Sequence, residues 1–314
     1  MKIAIVGAGM AGLACATELS RSGVDLHLFD KGRGVGGRMA SRLVQTRLGD
    51  TVFDMGAQYF TAHSDDFRAA VKEWASAGFV SPWLDAGENA LVGTPTMNAP
   101  LKKMAAELPV RWSTKIEGLQ RNSSKWSVHG VDFQESDFDI VITALPAEQC
   151  AALLNRPAPD LADFATKVAS EPCWTLMVVF AERLQVVANV LRDSGSISWA
   201  SRNSAKPGRS GAESWVIHAT PAWSISHLDS NQETVADKLL EALSRALDIA
   251  VPEVVASQAH RWLFARSGKA GTAHLWSAGR GLGVCGDWLL GPRIESAWLS
   301  GFTLAQAVQA SLKL

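Results

Sequence analysis

The 314-residue sequence holds one tyrosine, Tyr59, against twelve tryptophans, and only four cysteines, at positions 15, 150, 173 and 285. The cysteines are far apart and form no CxxC pair. The seven histidines do not join them at ligand spacing, so a zinc site, a metal cluster and a disulfide framework are excluded and no metal is expected. Charge is also scarce. With a net value of −1, 19% charged residues and no block of like charge, nothing favours nucleic acid or a membrane surface as partner. Low-complexity segments and internal repeats are missing, as are a G-x-S-x-G elbow and a cysteine in a nucleophile's context. The tryptophan excess alone marks no site, because Trp is mostly a core residue. What remains is an ordinary globular composition, 47% hydrophobic, long enough for two domains or one large α/β unit with an insertion.

The chain opens with Lys2 and an apolar run. That run is too short to span a bilayer, and Gly7, Gly9, Gly12 and Glu18 suit a nucleotide-binding strand–turn–helix instead, so a cytoplasmic protein is expected. Residues 3–6 read as a parallel strand buried on both faces. Residues 11–20 read as a helix with Leu13, Ala16 and Leu19 on one face, and 24–29 as a second strand ending at Asp30. Ser64 reads as the cap of a helix with Phe67, Ala70, Val71 and Trp74 on its apolar side. Short strands follow between 110 and 145. Residues 151–272 form a different unit, with strands at 173–180, 196–201 and 214–220 and a helix opened by a Ser230/Glu233 capping box. Residues 282–285 return to a core-strand pattern, and Pro292 starts a last helix with Ile294, Ala297, Trp298, Gly301, Ala305 and Val308 on one stripe. The expected fold class is α/β. A discontinuous Rossmann-like dinucleotide-binding domain (1–62, 94–150 and 273–314) carries an α+β substrate domain (63–93 and 151–272).

Three segments carry the chemistry. In "GAGMAG", Gly7 permits the tight turn, Gly9 lets backbone approach a pyrophosphate, and Gly12 lets helix pack on strand; Ala8, Met10 and Ala11 complete the turn. The helix N-terminus offers unpaired N–H donors and partial positive charge to phosphates. Asp30, eighteen residues past Gly12, is placed to accept ribose hydroxyl bonds, with Lys31 beside it. Next, in "KGRGVGGRM", Gly36 and Gly37 let the chain pass close to a ligand, Arg38 offers a fork suited to phosphate, and Met39 closes the loop. The third segment is "VCGDWLLGPRIESAWLSG", 284–301, where Gly291-Pro292 opens the last helix.

An acid followed by GGR resembles the flavin amine oxidase superfamily, and so do "FDMGAQYF" at 53–60 and the 284–301 segment. The resemblance implies an FAD-binding domain of the p-hydroxybenzoate hydroxylase/amine oxidase type. Residues 53–60 would bring Gly56, Ala57 and Gln58 alongside the flavin. Gly286 and Asp287 would meet its ribityl or pyrophosphate portion, and the free N–H groups near Arg293, Ile294 and Glu295 its N1–C2=O edge. Ile116 joins this cofactor-binding set. Cys285 is not placed as a tether, so noncovalent FAD is implied.

Within the superfamily the whole chain is most similar to the renalases, with "SWVIHATPAWS" (214–224) and "HRWLFA" (260–265) as further points of likeness. That likeness implies an oxidase of misreduced 2- or 6-dihydro isomers of NAD(P), with dioxygen as acceptor and hydrogen peroxide as product. Such chemistry needs placement and exclusion of water more than reactive side chains. The expected slot residues are Tyr59, Trp174, Trp199, His218, Trp288 and Arg293, with Tyr59, His218, Trp288 and Arg293 as the catalytic group. In 214–220, Val216, His218 and Thr220 share one face and Trp215, Ile217 and Ala219 the other, and one of them should cover the flavin. Arg192, Arg202, Lys206 and Arg209 could meet substrate phosphates, although a solvated loop accounts for them more simply. Two alternatives stand beside this reading: a flavin oxidase of amines or desaturase of apolar substrates, and a flavin redox sensor without turnover.

Overall fold

The structure, a computed structural model, describes residues 1–312. The last two residues of the expected 273–314 segment therefore lie outside the described residues. Six strands form the first sheet in the order Leu275–Ser277, Leu282–Val284, Ile140–Thr143, Lys2–Val6, Asp25–Phe29, Val110–Arg111. All pair in parallel except the edge strand Leu275–Ser277. The central strand is apolar at every position from Ile3 to Val6 because both its faces are covered. Ile3 and Ile5 pack with Leu13, Leu19, Leu304 and Val308 of helices Met10–Ser20 and Ile294–Leu312. Ala4 and Val6 pack on the opposite side with Trp126, Leu154 and Ala162. That second side is roofed by helices Ala147–Leu154 and Pro159–Thr166 and by the antiparallel strands Gly118–Asn122, Lys125–Gly130 and Phe133–Phe138.

The second sheet is antiparallel, in the order Val190–Ser194, Ile197–Arg202, Ser214–Ala219, Ser170–Phe180, Val254–Ser267. Leu176, Trp215, Ile217 and Ala219 point to helix Gln232–Leu247 and its Val235, Leu239 and Leu243. That helix is capped one residue later than its sequence suggests: Asn231 accepts from the Thr234 N–H at 2.8 Å. Met177, Val179 and Val216, on the other face, pack against Phe53 and Met55 of the nucleotide-binding half. Residues 63–93 hold helix Asp65–Ser76 and the hairpin Val80–Pro82/Leu91–Gly93. Their Phe67, Trp74, Val80 and Trp83 enter the same core as Ile3 and Leu13, and Phe67 meets Trp298 at 5.5 Å.

Two helices hold the first turn in place. A Cβ at Gly12 would lie 1.9 Å from the Gly7 carbonyl oxygen, and one at Gly301 would lie 2.0 Å from the Ala11 carbonyl oxygen. The last helix thus seats directly on the backbone of the first. Gly301→Ala is expected to lower stability by about 1–3 kcal/mol, since neither backbone can yield cheaply. The urea midpoint of unfolding checks this.

Candidate active site

The first glycine turn and the second meet face to face. Gly7 has φ +105°, which turns the chain out of the strand, and its N–H stays bonded to the Phe29 carbonyl at 2.8 Å. A Cβ at Gly9 would meet nothing within 4 Å, while the nearest atom to one at Gly37 would be the Gly9 Cα at 3.7 Å. Helix Met10–Ser20 begins at Gly9 with no side-chain cap and no acid in its first turn, so its leading N–H groups keep their positive field for a ligand. Asp30 closes this end: its carboxylate accepts from the N–H of Ala8 and of Gly32, each at 2.7 Å, which pins both loops to the strand end. Lys31 reaches Gln149 at 3.3 Å. Ile116 lies just beyond Thr114, whose N–H bonds the Asp30 carbonyl at 2.8 Å. A glycine-lined cradle, with unpaired N–H donors beside a carboxylate, fits a dinucleotide.

At the other end Arg38 and Asp287 form a bidentate pair at 2.7 and 2.6 Å, and Asp287 also accepts from Ser267 Oγ at 2.9 Å. Both carboxylate oxygens of Asp287 are thereby used, so its role here is to hold the Arg38 guanidinium, which keeps further N–H donors free. The Gly56 turn is wedged on the same loop: a Cβ at Gly56 would meet the Arg38 carbonyl oxygen at 2.0 Å, and the Ala57 N–H donates to that oxygen at 2.8 Å. Met39 packs into the first core.

Beyond Gly56 the turn meets the second sheet. Gln58 Nε2 donates to the carbonyls of Asp54 and Gly56, and Gln58 Oε1 accepts from Ser201 Oγ at 3.0 Å and Lys206 Nζ at 2.9 Å. The Tyr59 and Trp199 rings lie 5.1 Å apart, and Trp83 meets Trp199 edge-on at 6.3 Å. The strand register sets Arg192 opposite Trp199, and Trp199 opposite His218, so the three share one row on the face that meets the turn. His218 Nε2 stands 3.5 Å from Gln58 Nε2. Burial, with the Lys206 charge nearby, brings its imidazole down to about 4, so it is neutral at pH 7.

Of the expected slot, then, Tyr59, Trp199 and His218 come together. Trp288 does not join them: it is fully buried against Phe164, with Nε1 bonded to the Leu145 carbonyl at 3.1 Å. A ring with no exposed surface has nothing to present to a substrate. Trp174 is likewise turned to the helix side of its sheet, its Nε1 on the His227 carbonyl at 2.9 Å. Arg293 is exposed and bonds Thr61 Oγ1 and Glu295, each at 3.0 Å, two residues past Tyr59. The Glu295 side chain faces the other way. It accepts from the Ser64 and His63 N–H groups, at 2.7 and 2.9 Å, and from Ser64 Oγ, so it fixes the loop that leads into helix Asp65–Ser76, and the Ser64 hydroxyl spent on it makes no cap. Burial raises its carboxyl, and these donors together with Arg293 more than offset that, leaving it below its ordinary value. What Ile294 and Glu295 can offer a cofactor is backbone N–H, whereas the Gly291 N–H is taken by the Asp287 carbonyl.

The sequence reading missed a buried charged cluster. Asp54, fully buried, accepts from Lys206 at 3.2 Å, Arg209 at 2.5 Å, the Met97 N–H at 2.9 Å and Ser41 Oγ at 3.0 Å. Burial would raise its carboxyl, yet Lys206 and Arg209 outweigh burial and hold it down. The same burial brings the Lys206 ammonium down to about 8. Arg202 is equally buried, paired with Glu213 at 2.9 Å. The segment 202–209 is thus no solvated loop: its cations face inward because carboxylates wait there. The only sequence signal was an acid, Asp54, directly after the apolar pair Val52-Phe53, which demands a partner wherever it is buried.

Because folded His218 resists protonation, its contribution to stability is complete above about pH 6.5 and declines as pH falls toward 4, where the unfolded chain takes up the proton first. His218→Gln is expected to flatten that part of the decline, read from urea unfolding at several pH values.

Comparison with known proteins follows these features. The model of an NAD(P)-binding Rossmann-like domain matches residues 5–74, and that of the flavin containing amine oxidoreductases matches residues 75–309. Cyclohexylamine oxidase from Brevibacterium oxydans IH-35A superposes with a TM-score of 0.78 over 100% of this chain and 99% of its own; at 9% identity this is a likeness of fold. The 4-hydroxybenzoate brominase (decarboxylating) of Marinomonas mediterranea is 25% identical over 167 residues, 51% of this chain and 28% of its own length. A 4,4'-diapophytoene desaturase of Staphylococcus aureus (strain Newman) is 43% identical over 56 residues, 18% of this chain and 10% of its own. The chain thus spans less than a third of the length of these curated relatives. The family model covers most of the chain in one stretch, over the fold described above. The chain belongs to the flavin containing amine oxidoreductases, and its cofactor is FAD.

Proposed function

We propose that this chain is a renalase-like oxidase: it converts misreduced 2- or 6-dihydro-NAD(P) and dioxygen, with one proton, to NAD(P)+ and hydrogen peroxide. The observation that carries this reading is the sign of the charge beside the aromatic slot. Two buried cations, Lys206 and Arg209, share the single carboxylate of Asp54, and Arg192 lies over Trp199 without a carboxylate partner among the described residues. A surplus of positive charge repels an alkylammonium ion and suits a phosphate-bearing substrate. An amine site would need the reverse.

In this reading the N–H groups of Met10, Ala11 and Gly12 face the FAD pyrophosphate and Asp30 its ribose. Arg38, aligned by Asp287, takes a phosphate, and the 56–58 turn, Gly286 and the first turn of helix Ile294–Leu312 border the ring. When bound, FAD supplies the redox chemistry, taking two electrons from the substrate ring and passing them to dioxygen. The side chains move no proton in the oxidation of a dihydropyridine. Tyr59 and Trp199 give the flat walls that orient the ring and exclude water, and His218, neutral, hydrogen-bonds the carboxamide. Retention without a covalent bond accords with the thiols: burial lifts Cys150 to about 12 and Cys173 to about 11, and the Cys15 hydrogen bond with burial lifts Cys285 well above its ordinary value, whereas the thiolate is the nucleophilic form.

The test is anaerobic mixing of the yellow protein with 2-dihydro-NAD, 6-dihydro-NAD, ordinary NADH and a panel of amines. Bleaching of the flavin band by a dihydro isomer and not by amines is expected; bleaching by amines alone defeats the proposal. Arg38→Ala should cut the flavin-to-protein absorbance ratio several-fold after gel filtration, because it removes a phosphate fork and leaves Asp287 with Ser267 alone.

A further inference from the structure

We infer that Arg192 is the specificity-determining residue that makes this site select a phosphate-bearing substrate, by forking onto the phosphate next to the substrate's reacting ring; this rests on the functional reading above. Four basic residues, Arg192, Arg202, Lys206 and Arg209, come from the 192–209 stretch, and three are held by other partners, Arg202 on the Trp215 side of the sheet. Arg202 donates to Glu213, to Asn189 and to the carbonyls of Leu184 and Val186. Arg209 is taken by Asp54 and by the carbonyls of Gly93 and Pro207, and Lys206 is sealed beneath Gln58. Arg192 alone is exposed with donors in reserve, whereas the unpaired Nε of Arg209 is buried. One Nη2–H goes to the Ala86 carbonyl, and no ion pair joins it to any described carboxylate. The two acids nearest in the chain and the hairpin are placed otherwise: Asp85 accepts from Asn189 Nδ2 at 2.9 Å, and Asp193 is exposed in a left-handed conformation at φ +47°.

The guanidinium also lies against the aromatic pair. Its Cζ lies 4.7 Å from the centre of the Trp199 ring and 5.9 Å from that of Tyr59. Contact with the two rings and a bond to one carbonyl leave further N–H groups for a planar pair of oxygens, the geometry that phosphate accepts and an isolated ammonium could not match. The row runs Arg192, Trp199, His218 across three strands, so two strand spacings, about 10 Å, separate the backbones of Arg192 and His218. That is the span of one nucleotide from ring to phosphate. With His218 at the ring, Arg192 stands where the first phosphate arrives.

Arg192→Gln tests this in the FAD-loaded protein. For the reactive dihydro isomer of NAD, KM should rise about tenfold with kcat unchanged, and NAD+ titrated against the flavin spectrum should bind about tenfold more weakly. The preference for the dinucleotide over the corresponding dihydronicotinamide riboside, which carries no phosphate, should collapse by the same factor. Added salt should raise KM for the dinucleotide in the natural protein and much less in the variant. Turnover of the dinucleotide with equal KM in both proteins overturns the role of Arg192 alone. Absence of turnover with every isomer in the natural protein overturns the functional reading and this assignment with it.

Discussion

The carboxylate of Asp54 sits at the end of strand Gly49–Asp54, fully buried, with Lys206 and Arg209 upon it from the loop between two strands of the second sheet. An ion pair taken out of water gains little over an apolar contact, but removing one partner leaves a buried charge alone and costs about 3–5 kcal/mol. The pair therefore acts less as glue than as a selector of arrangement. Only one docking of the second sheet on the 53–58 turn satisfies Asp54, Lys206, Arg209, Gln58 and Ser201 together. Any sliding of the sheets leaves one of these buried groups unpaired, and the aromatic slot, assembled from both sides of that contact, inherits its precision.

The nucleotide end obeys a different constraint, the near-contact of backbones. Helix Met10–Ser20 is squeezed between the Gly7 turn, through Gly12, and helix Ile294–Leu312, through Gly301. Its N-terminus is thus held at the strand end by packing alone, without a capping side chain that would compete for its N–H groups. The fold assigns acids elsewhere: Asp30 to the loops, Asp287 to Arg38, Glu295 to the neighbouring helix. Each carboxylate near the cradle is bound to a protein donor, and the helix field is left for the phosphates.

Between these ends the second sheet divides its labour by strand alternation. Odd and even positions of Ser214–Ala219 go to opposite faces, so Trp215 and Ile217 build the helix-covered core while Val216 and His218 meet the turn. The slot consequently costs the domain's core nothing. His218 is neutral because burial and Lys206 both disfavour its cation, which leaves the slot with hydrogen-bonding capacity and no mobile proton of its own.

The sequence by itself determined the strand–turn–helix–strand unit and its acid, because each part is a local pattern: an apolar run, three glycines at set spacing, a helical stripe, a strand end. It also determined which residues of 214–220 share a face, since a strand's alternation is local, but not which face would meet the nucleotide-binding half. The tertiary structure alone decided that Trp288 and Trp174 belong to cores, that Glu295 binds the loop ahead of a distant helix, and that Lys206 and Arg209 are buried rather than solvated. The physical reason is common to all four. A polar or aromatic side chain is placed by its partner, and here the partners, Leu145, His227, Ser64 and Asp54, lie tens to hundreds of residues away along the chain, beyond the reach of any periodicity.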